Sequence, residues 1–299
     1  MYRISVIIPF YKGNVFLMEL KHCLDKAAEK LGEKIEVIIV NDSPEIEVAD
    51  DVFRSEMYDY ILINNEHNMG IHKSRVIGLE RANGLYILFL DQDDKINENF
   101  FVDMIAALVE DDSIAFVYAN GVFEDENGTK KIILNSYGKV IAAGQYDTYL
   151  KVGNLLASPG QCLIRKSAIP DIWKQNIMTT NCADDYLLWI LILKVYGAKY
   201  VNKLLYEHIS TGKNVSSNKL IGYKSDLEVL TILEKNKILS DKERTAFRKR
   251  CVNKFKKENG EPYNKFDLFT SFYSEKTERL KMKLVGYILY IKGKRICEF

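Results

Sequence analysis

The first hundred residues hold four apolar runs of strand length, Ser5–Phe10, Lys34–Val40, Tyr60–Asn65 and Tyr86–Leu90, separated by stretches of helical spacing. The runs are continuous rather than alternating, which is the pattern of strands covered on both faces. Strand–helix alternation with short connections predicts a doubly wound α/β fold with a mostly parallel central sheet flanked by helices. Asn14 is placed to cap a helix through about Lys30, with Phe16, Leu17, Leu20, Leu24 and Ala27 at helical spacing. Residues 45–57 read as a weak helix, and Ile71–Ala82 as a helix closed by Asn83-Gly84. Ligands of such sheets sit beyond the carboxyl ends of the strands. Function is therefore sought first at Tyr11-Lys12, Asn41-Asp42, Asn64-Asn65 and Asp91-Gln92-Asp93-Asp94.

Farther along, a helix is expected from Asn97 to Glu110, a strand near Ala115–Tyr118 and a hairpin-type turn at Asp125–Gly128. Residues 135–160 show no periodicity and read as a long functional loop. Asp184–Tyr196 is a strongly apolar helix ended by Gly197, Lys199–Tyr206 a further strand, and the pattern beyond Gly222 is helical and increasingly basic. Residues 1–220 are thus read as one α/β domain and 221–299 as a helical, basic extension. From Asp241 to Phe299 there are 16 Lys/Arg against 8 Asp/Glu, a local net of +8, so the preceding residues carry −7 of the total of +1. That total offers no reason to expect a nucleic-acid partner. Cys23, Cys162, Cys182, Cys251 and Cys297 are odd in number and lack zinc or CxxC spacing, so reduced thiols in a cytoplasmic protein are expected. The amino-terminal residues run straight into a strand without a signal-peptide pattern, and the longest apolar runs fall far short of the ~20 residues of a membrane span.

The sharpest chemical feature is Asp91-Gln92-Asp93-Asp94 directly after a buried strand. Three carboxylates so close repel one another unless a cation offsets them, and a hard divalent cation readily bridges carboxylates to phosphates. The alternative is a structural one, with Asp94 favoured by the dipole of the helix that follows.

Residues 68–94, from Asn68-Met-Gly through Arg75 and Gly84 to the strand ending in Asp-Gln-Asp-Asp, closely resemble the inverting family-two glycosyltransferases of the GT-A fold. Ser5–Tyr11 resembles that family's first strand and Val37–Ser43 its second, so the resemblance covers roughly residues 1–215. It implies a GT-A type, Rossmann-like domain that binds a nucleotide-sugar. It also implies a metal, manganese or magnesium, held by Asp93 against the donor diphosphate. Pro9, Tyr11, Asn68, Arg75, Asp91, Gln92 and Asp184 would line the nucleotide-sugar pocket, Tyr11 lying against the base. Asp42 matches the carboxylate that accepts an imide N–H, which suits uracil or thymine rather than cytosine, and the expected donor is a UDP-sugar. The chain departs from the family pattern at Asn41, Pro44 and Val76, which bears on nucleotide identity more than on fold.

Asn181-Cys-Ala-Asp-Asp-Tyr186 opens the apolar helix with two adjacent carboxylates. Helix capping accounts for either one. The resemblance instead makes Asp185 the catalytic base, which takes the acceptor hydroxyl proton as the anomeric carbon is attacked. His208, just past a strand, matches a position where the family often places a histidine against the metal or diphosphate; a purely structural histidine is the alternative. Family members commonly build bacterial surface polysaccharides or lipid-linked glycans, so a glycan or lipid-linked acceptor is expected. The rival readings are a nucleotidyltransferase and a silent nucleotide-sugar binding module. Lys276–Phe299 alternates basic residues with apolar and aromatic ones. It suits either a helix docked on an anionic membrane surface or a helix packed on the domain or on a second subunit of a homo-oligomer.

Overall fold

The computed structural model describes residues 2–210 and 219–259. The first half is a run of parallel strand–helix units: β1 (Ile4–Phe10), α1 (Leu17–Leu31), β2 (Ile35–Asn41), the single turn α2 (Asp50–Phe53), β3 (Tyr58–Asn64), α3 (Ile71–Arg81) and β4 (Tyr86–Phe89). There follow β5 (Lys95–Ile96), α4 (Phe100–Val109), β6 (Ile114–Glu124), β7 (Lys130–Ile132), α5 (Tyr137–Ala143), α6 (Tyr146–Lys151) and β8 (Cys162–Arg165). The described chain ends with α7 (Asp171–Gln175), α8 (Asp184–Leu193), β9 (Gly197–Ile209), α9 (Lys219–Lys235) and α10 (Asp241–Asn259).

One sheet runs β3-β2-β1-β4-β8-β6-β9-β5, with β7 added to β6. The pairs β1–β2, β2–β3 and β1–β4 are parallel, while β8 is antiparallel to both β4 and β6. The chain winds outward from β1 to β3 and then crosses to the other side of β1 as β4. This reversal opens a crevice at the carboxyl ends of β1 and β4. The α/β class is as the sequence implies, and the antiparallel strands β5, β7 and β8 are the added feature.

Strands β1, β2 and β4 sit between two cores. Val6, Ile8, Val37, Ile39 and Leu88 join Leu20 and Leu24 of α1 and Met104 of α4. Their neighbours Ile7, Ile38, Val40 and Phe89 join Val76 and Leu79 of α3, Trp173 of α7 and Trp189 of α8. Successive side chains point to opposite faces, so two apolar cores demand an unbroken apolar run. Val229, Leu233, Phe247 and Cys251 of α9 and α10 belong to the Trp189 core as well.

Local detail departs from the sequence reading where side chains act at a distance. Asn14 does not cap α1. Its amide donates to Glu47 O at 2.9 Å and accepts from Ala49 N at 3.0 Å, tying the start of α1 to the loop after β2. Helix in 45–57 is confined to α2. Residues 135–160 are not one long loop but contain α5 and α6, one or two turns each, too short to display a period. Gly84 is not a helix stop, since α3 already turns extended at Ala82. A Cβ on Gly84 would lie 2.5 Å from Ser5 N, so glycine is required for close approach to β1. β6 and β9 are longer than expected and pair across register shifts between Ala119 and Gly121. No helix among the described residues is long and apolar enough to cross a membrane. The basic segment Lys276–Phe299 lies outside the described residues.

Candidate active site

The crevice floor is built by the ends of β1 and β4. Leu90 N donates to Ile7 O, so Ile7 faces β4 with its backbone polar groups and Pro9, two residues on, faces the same side. The β4 pairing stops at Ile7↔Phe89. Pro9 thus lies past its last β4 partner, and its missing N–H removes no bond from the sheet. Beyond it Tyr11 is 48% exposed, with the Lys12 ammonium 5.2 Å from its ring centroid. The Gln92 amide grips the Tyr11 backbone from both sides, Oε1 accepting from Tyr11 N at 2.9 Å and Nε2 donating to Tyr11 O at 3.0 Å. In this structure, then, Gln92 shapes the Tyr11 loop.

At the end of β2, Asp42 is buried and organises the turn before α3. Oδ1 accepts from Asn65 Nδ2 at 2.8 Å and Met69 N at 2.7 Å, and Oδ2 accepts from Gly70 N at 2.8 Å. A carboxylate has about four lone-pair sites, so one acceptor position on Oδ2 remains. Asn68 is exposed, its Oδ1 accepting from Gly70 N at 3.1 Å in the same turn.

The acidic strand end divides into three roles. Asp91 accepts from Arg75 Nη2 at 2.5 Å and from Ser158 Oγ at 3.2 Å. Asp94 is fully buried, and its carboxylate takes the Tyr206 hydroxyl, His208 Nδ1 at 2.9 Å and Ile209 N at 3.2 Å. Asp93 is pushed up to about 7 by burial and then by the charges of Asp94 and Asp91, with His208 the opposing positive charge. Burial alone would lower the His208 pKa, but its contact with Asp94 reverses this and holds it above the usual histidine value.

Arg75 ties the strand end to α8. Its Nη1 meets Asp184 Oδ1 at 2.9 Å and Oδ2 at 2.8 Å, while Nη2 meets Asp91. Burial would push Asp184 up, but the guanidinium overrides it and holds the carboxyl below the ordinary range. Asp185 differs from its neighbour: burial and then the Asp184 charge push it up to about 7. It accepts from Asn154 Nδ2 at 2.8 Å and from Tyr186 N at 2.7 Å. Two adjacent carboxyls are thus driven apart, one held ionised by arginine and one poised near neutrality, which is how an enzyme separates an anchoring acid from a base.

A buried arginine between two carboxylates is costly to break, because either loss leaves an unpaired charge. Arg75→Met is expected to lower stability by about 3–5 kcal/mol, measured as a fall in the urea midpoint at unchanged slope. A change below about 0.5 kcal/mol, the size of an ordinary surface substitution, would show that the pair is not a structural tie.

Among the described residues no three His, Cys, Asp or Glu side chains converge to hold a metal unaided. The site nevertheless fits a cation whose remaining ligands come from a diphosphate. Asp91, Asp93 and Asp94 leave excess negative charge, expressed in the raised Asp93 and Asp94 values. His208 gives Nδ1 to Asp94, the carboxylate–histidine arrangement that leaves Nε2 as a ligand.

Tyr206 and Asn154 are site residues that sequence reasoning did not single out. Tyr206 lacks any local signal, because its partner Asp94 is distant in the chain. Asn65 was among the strand-end candidates, and Ser158 lies in the stretch read as a functional loop.

A family model for glycosyl transferase family 2 matches residues 5–173, more than half of the chain. The chain is similar to the uncharacterized glycosyltransferase YibD of Escherichia coli, 27% identical over 42% of this chain and 37% of that protein. It is also similar to the minor teichoic acid biosynthesis protein GgaB of Bacillus subtilis, 27% identical over 73% of this chain and 25% of that protein. The matched stretch is thus well under two thirds of either relative. Residues 1–349 of TarS from S. aureus, crystallised with UDP-GlcNAc, superpose with a TM-score of 0.62 at 17% identity, covering 86% of this chain and 73% of that one. The last likeness shows the shared fold.

Proposed function

The chain belongs to glycosyl transferase family 2, and on that premise we propose that it moves a sugar from a UDP-sugar to an acceptor hydroxyl by direct, inverting displacement. The observation that carries the reading is the Arg75 bridge, which joins the acidic end of β4 to the carboxylate pair opening α8. Donor anchor and base are thereby held in one rigid frame. In this reading Tyr11 stacks on the uracil and the spare Oδ2 position of Asp42 accepts its imide N–H. Asp93 and His208 Nε2 would hold manganese or magnesium, whose chemistry is to neutralise charge on the departing diphosphate. Asp185 takes the proton of the acceptor hydroxyl as that oxygen bonds to the anomeric carbon. The sugar–phosphate bond breaks on the opposite face, and UDP leaves with the electron pair. The TarS complex with UDP-GlcNAc supports a UDP-sugar donor. The likeness to GgaB, a minor teichoic acid biosynthesis protein, supports an acceptor in cell-surface polysaccharide synthesis.

The nucleotide assignment is tested by thermal unfolding with manganese present. At about a hundredfold excess over its Kd, UDP should stabilise by about 2.7 kcal/mol. CDP, which has no imide N–H, and GDP should protect less. Equal protection by CDP would remove Asp42 from base recognition.

A further inference from the structure

Asp185 does not stand alone at the start of α8. Its Oδ2 is met by Asn154 Nδ2 at 2.8 Å. The orientation of that amide is determined, because Asn154 Oδ1 accepts from Leu156 N at 3.1 Å, which leaves the NH2 group for the carboxylate. The turn carrying Asn154 is anchored on both sides. Gly153 N donates to Thr148 O of α6 at 3.0 Å, and Leu156 is buried in the core. Gly153 has φ +124, and a Cβ there would lie 3.3 Å from Arg250 Nη1. Arg250 of α10 is itself buried, paired with Asp226 of α9 at 3.3 Å and seated 5.0 Å from the Tyr186 ring. One guanidinium therefore backs both the Asn154 turn and the residue that follows Asp185.

We propose that Asn154 is a positioning residue for the acceptor-activating carboxylate, fixing the Oδ2 edge of Asp185 and offering it a donor that the ionised form accepts best. This rests on the reading of Asp185 as the base. The other groups acting with Asp185 are Asp184 on the same helix, Arg75 from α3, Tyr149 from α6, Cys162 from β8 and Cys182 from the preceding loop. Tyr149 and Cys162 are neutral near pH 7, since burial holds both far above their ordinary values. Burial and Asp184 push Asp185 up; Arg75, the Tyr186 N–H and the Asn154 amide oppose them. Removal of the Asn154 donor shifts that balance toward the protonated, idle acid.

The test is the pH profile of UDP release by the full chain, using the UDP-sugar it turns over fastest in a donor panel. In Asn154→Ala the limb that rises with pH should move up by about one unit, so that turnover falls about tenfold at pH 6 and returns toward wild type at pH 9. The donor KM should stay unchanged. Asn154→Asp keeps the size and the acceptor for Leu156 N but replaces the donor with a second carboxylate; its limb should move farther. That variant also carries the test if Asn154→Ala fails to fold. A readout free of substrate is the carboxyl carbon-13 titration of Asp185, assigned by its loss in Asp185→Asn, which should move by the same amount. An unmoved limb and an unmoved titration in these variants, with Asp185→Asn inactive, would overturn the positioning role. An active Asp185→Asn would instead overturn the base and this inference together.

Discussion

Asp185→Asn is expected to cut turnover by about 10²–10⁴-fold, the usual cost of losing a general base. Affinity for UDP with manganese should hardly change, because the groups proposed to meet UDP and the metal are Tyr11, Asp42, Asp93 and His208, and the Arg75–Asp184 pair is left intact. The fold should persist as well. Asparagine keeps an acceptor for the Tyr186 N–H and removes a charge that burial and Asp184 disfavour. In the wild type, burial and Asp184 hold this acid up at about 7. Turnover should then rise with pH through about 7 and level off above it, since only the ionised form accepts a proton. The asparagine variant should lose that limb. Isothermal titration separates the alternatives: a collapse of UDP affinity in Asp185→Asn would make the residue part of donor binding rather than the base.

Asp93→Ala is expected to lower turnover roughly a thousandfold, as the loss of several kcal/mol of metal-assisted charge neutralisation implies. Manganese-dependent protection by UDP should disappear with it. In the metal-free protein, by contrast, the substitution itself should cost no stability near neutral pH. The folded carboxyl is raised to about 7 by burial and its acidic neighbours, well above its unfolded value near 3.9. Its contribution is therefore fully present below pH 4 and is lost as pH rises through 7. The alanine variant lacks that loss, so its stability should fall less steeply between those limits. Full wild-type turnover in excess chelator would sink the metal assignment.

Much of the frame was legible because its cause is local. Ile7 and Ile8 face different cores, and an unbroken apolar run is the direct imprint of that geometry. The crevice followed from strand ends, and the acidic run after Leu90 marked it. What stayed hidden depends on partners far apart in the chain. Arg75 was expected near the nucleotide, but its guanidinium is occupied by Asp184 and Asp91, a pairing that no spacing rule encodes. Asn154 lies between short helices whose few residues cannot establish a period. Its importance comes from the amide orientation that Leu156 N imposes. Gln92 sat inside a conspicuous motif, yet it serves the backbone of Tyr11.

The Arg75 tie also bears on attempts to recombine such enzymes. A natural place to splice two relatives is after α4, joining the half proposed to hold the nucleotide in one to the half proposed to face the acceptor in another. Arg75 would then come from one parent and its Asp184 partner from the other. A hybrid whose second parent lacks an acid at that position buries an arginine with half its counter-charge, and the misfit falls on the helix that carries Asp185. In this chain the two halves are therefore not freely exchangeable cassettes; Arg75, Asp91 and Asp184 have to travel together.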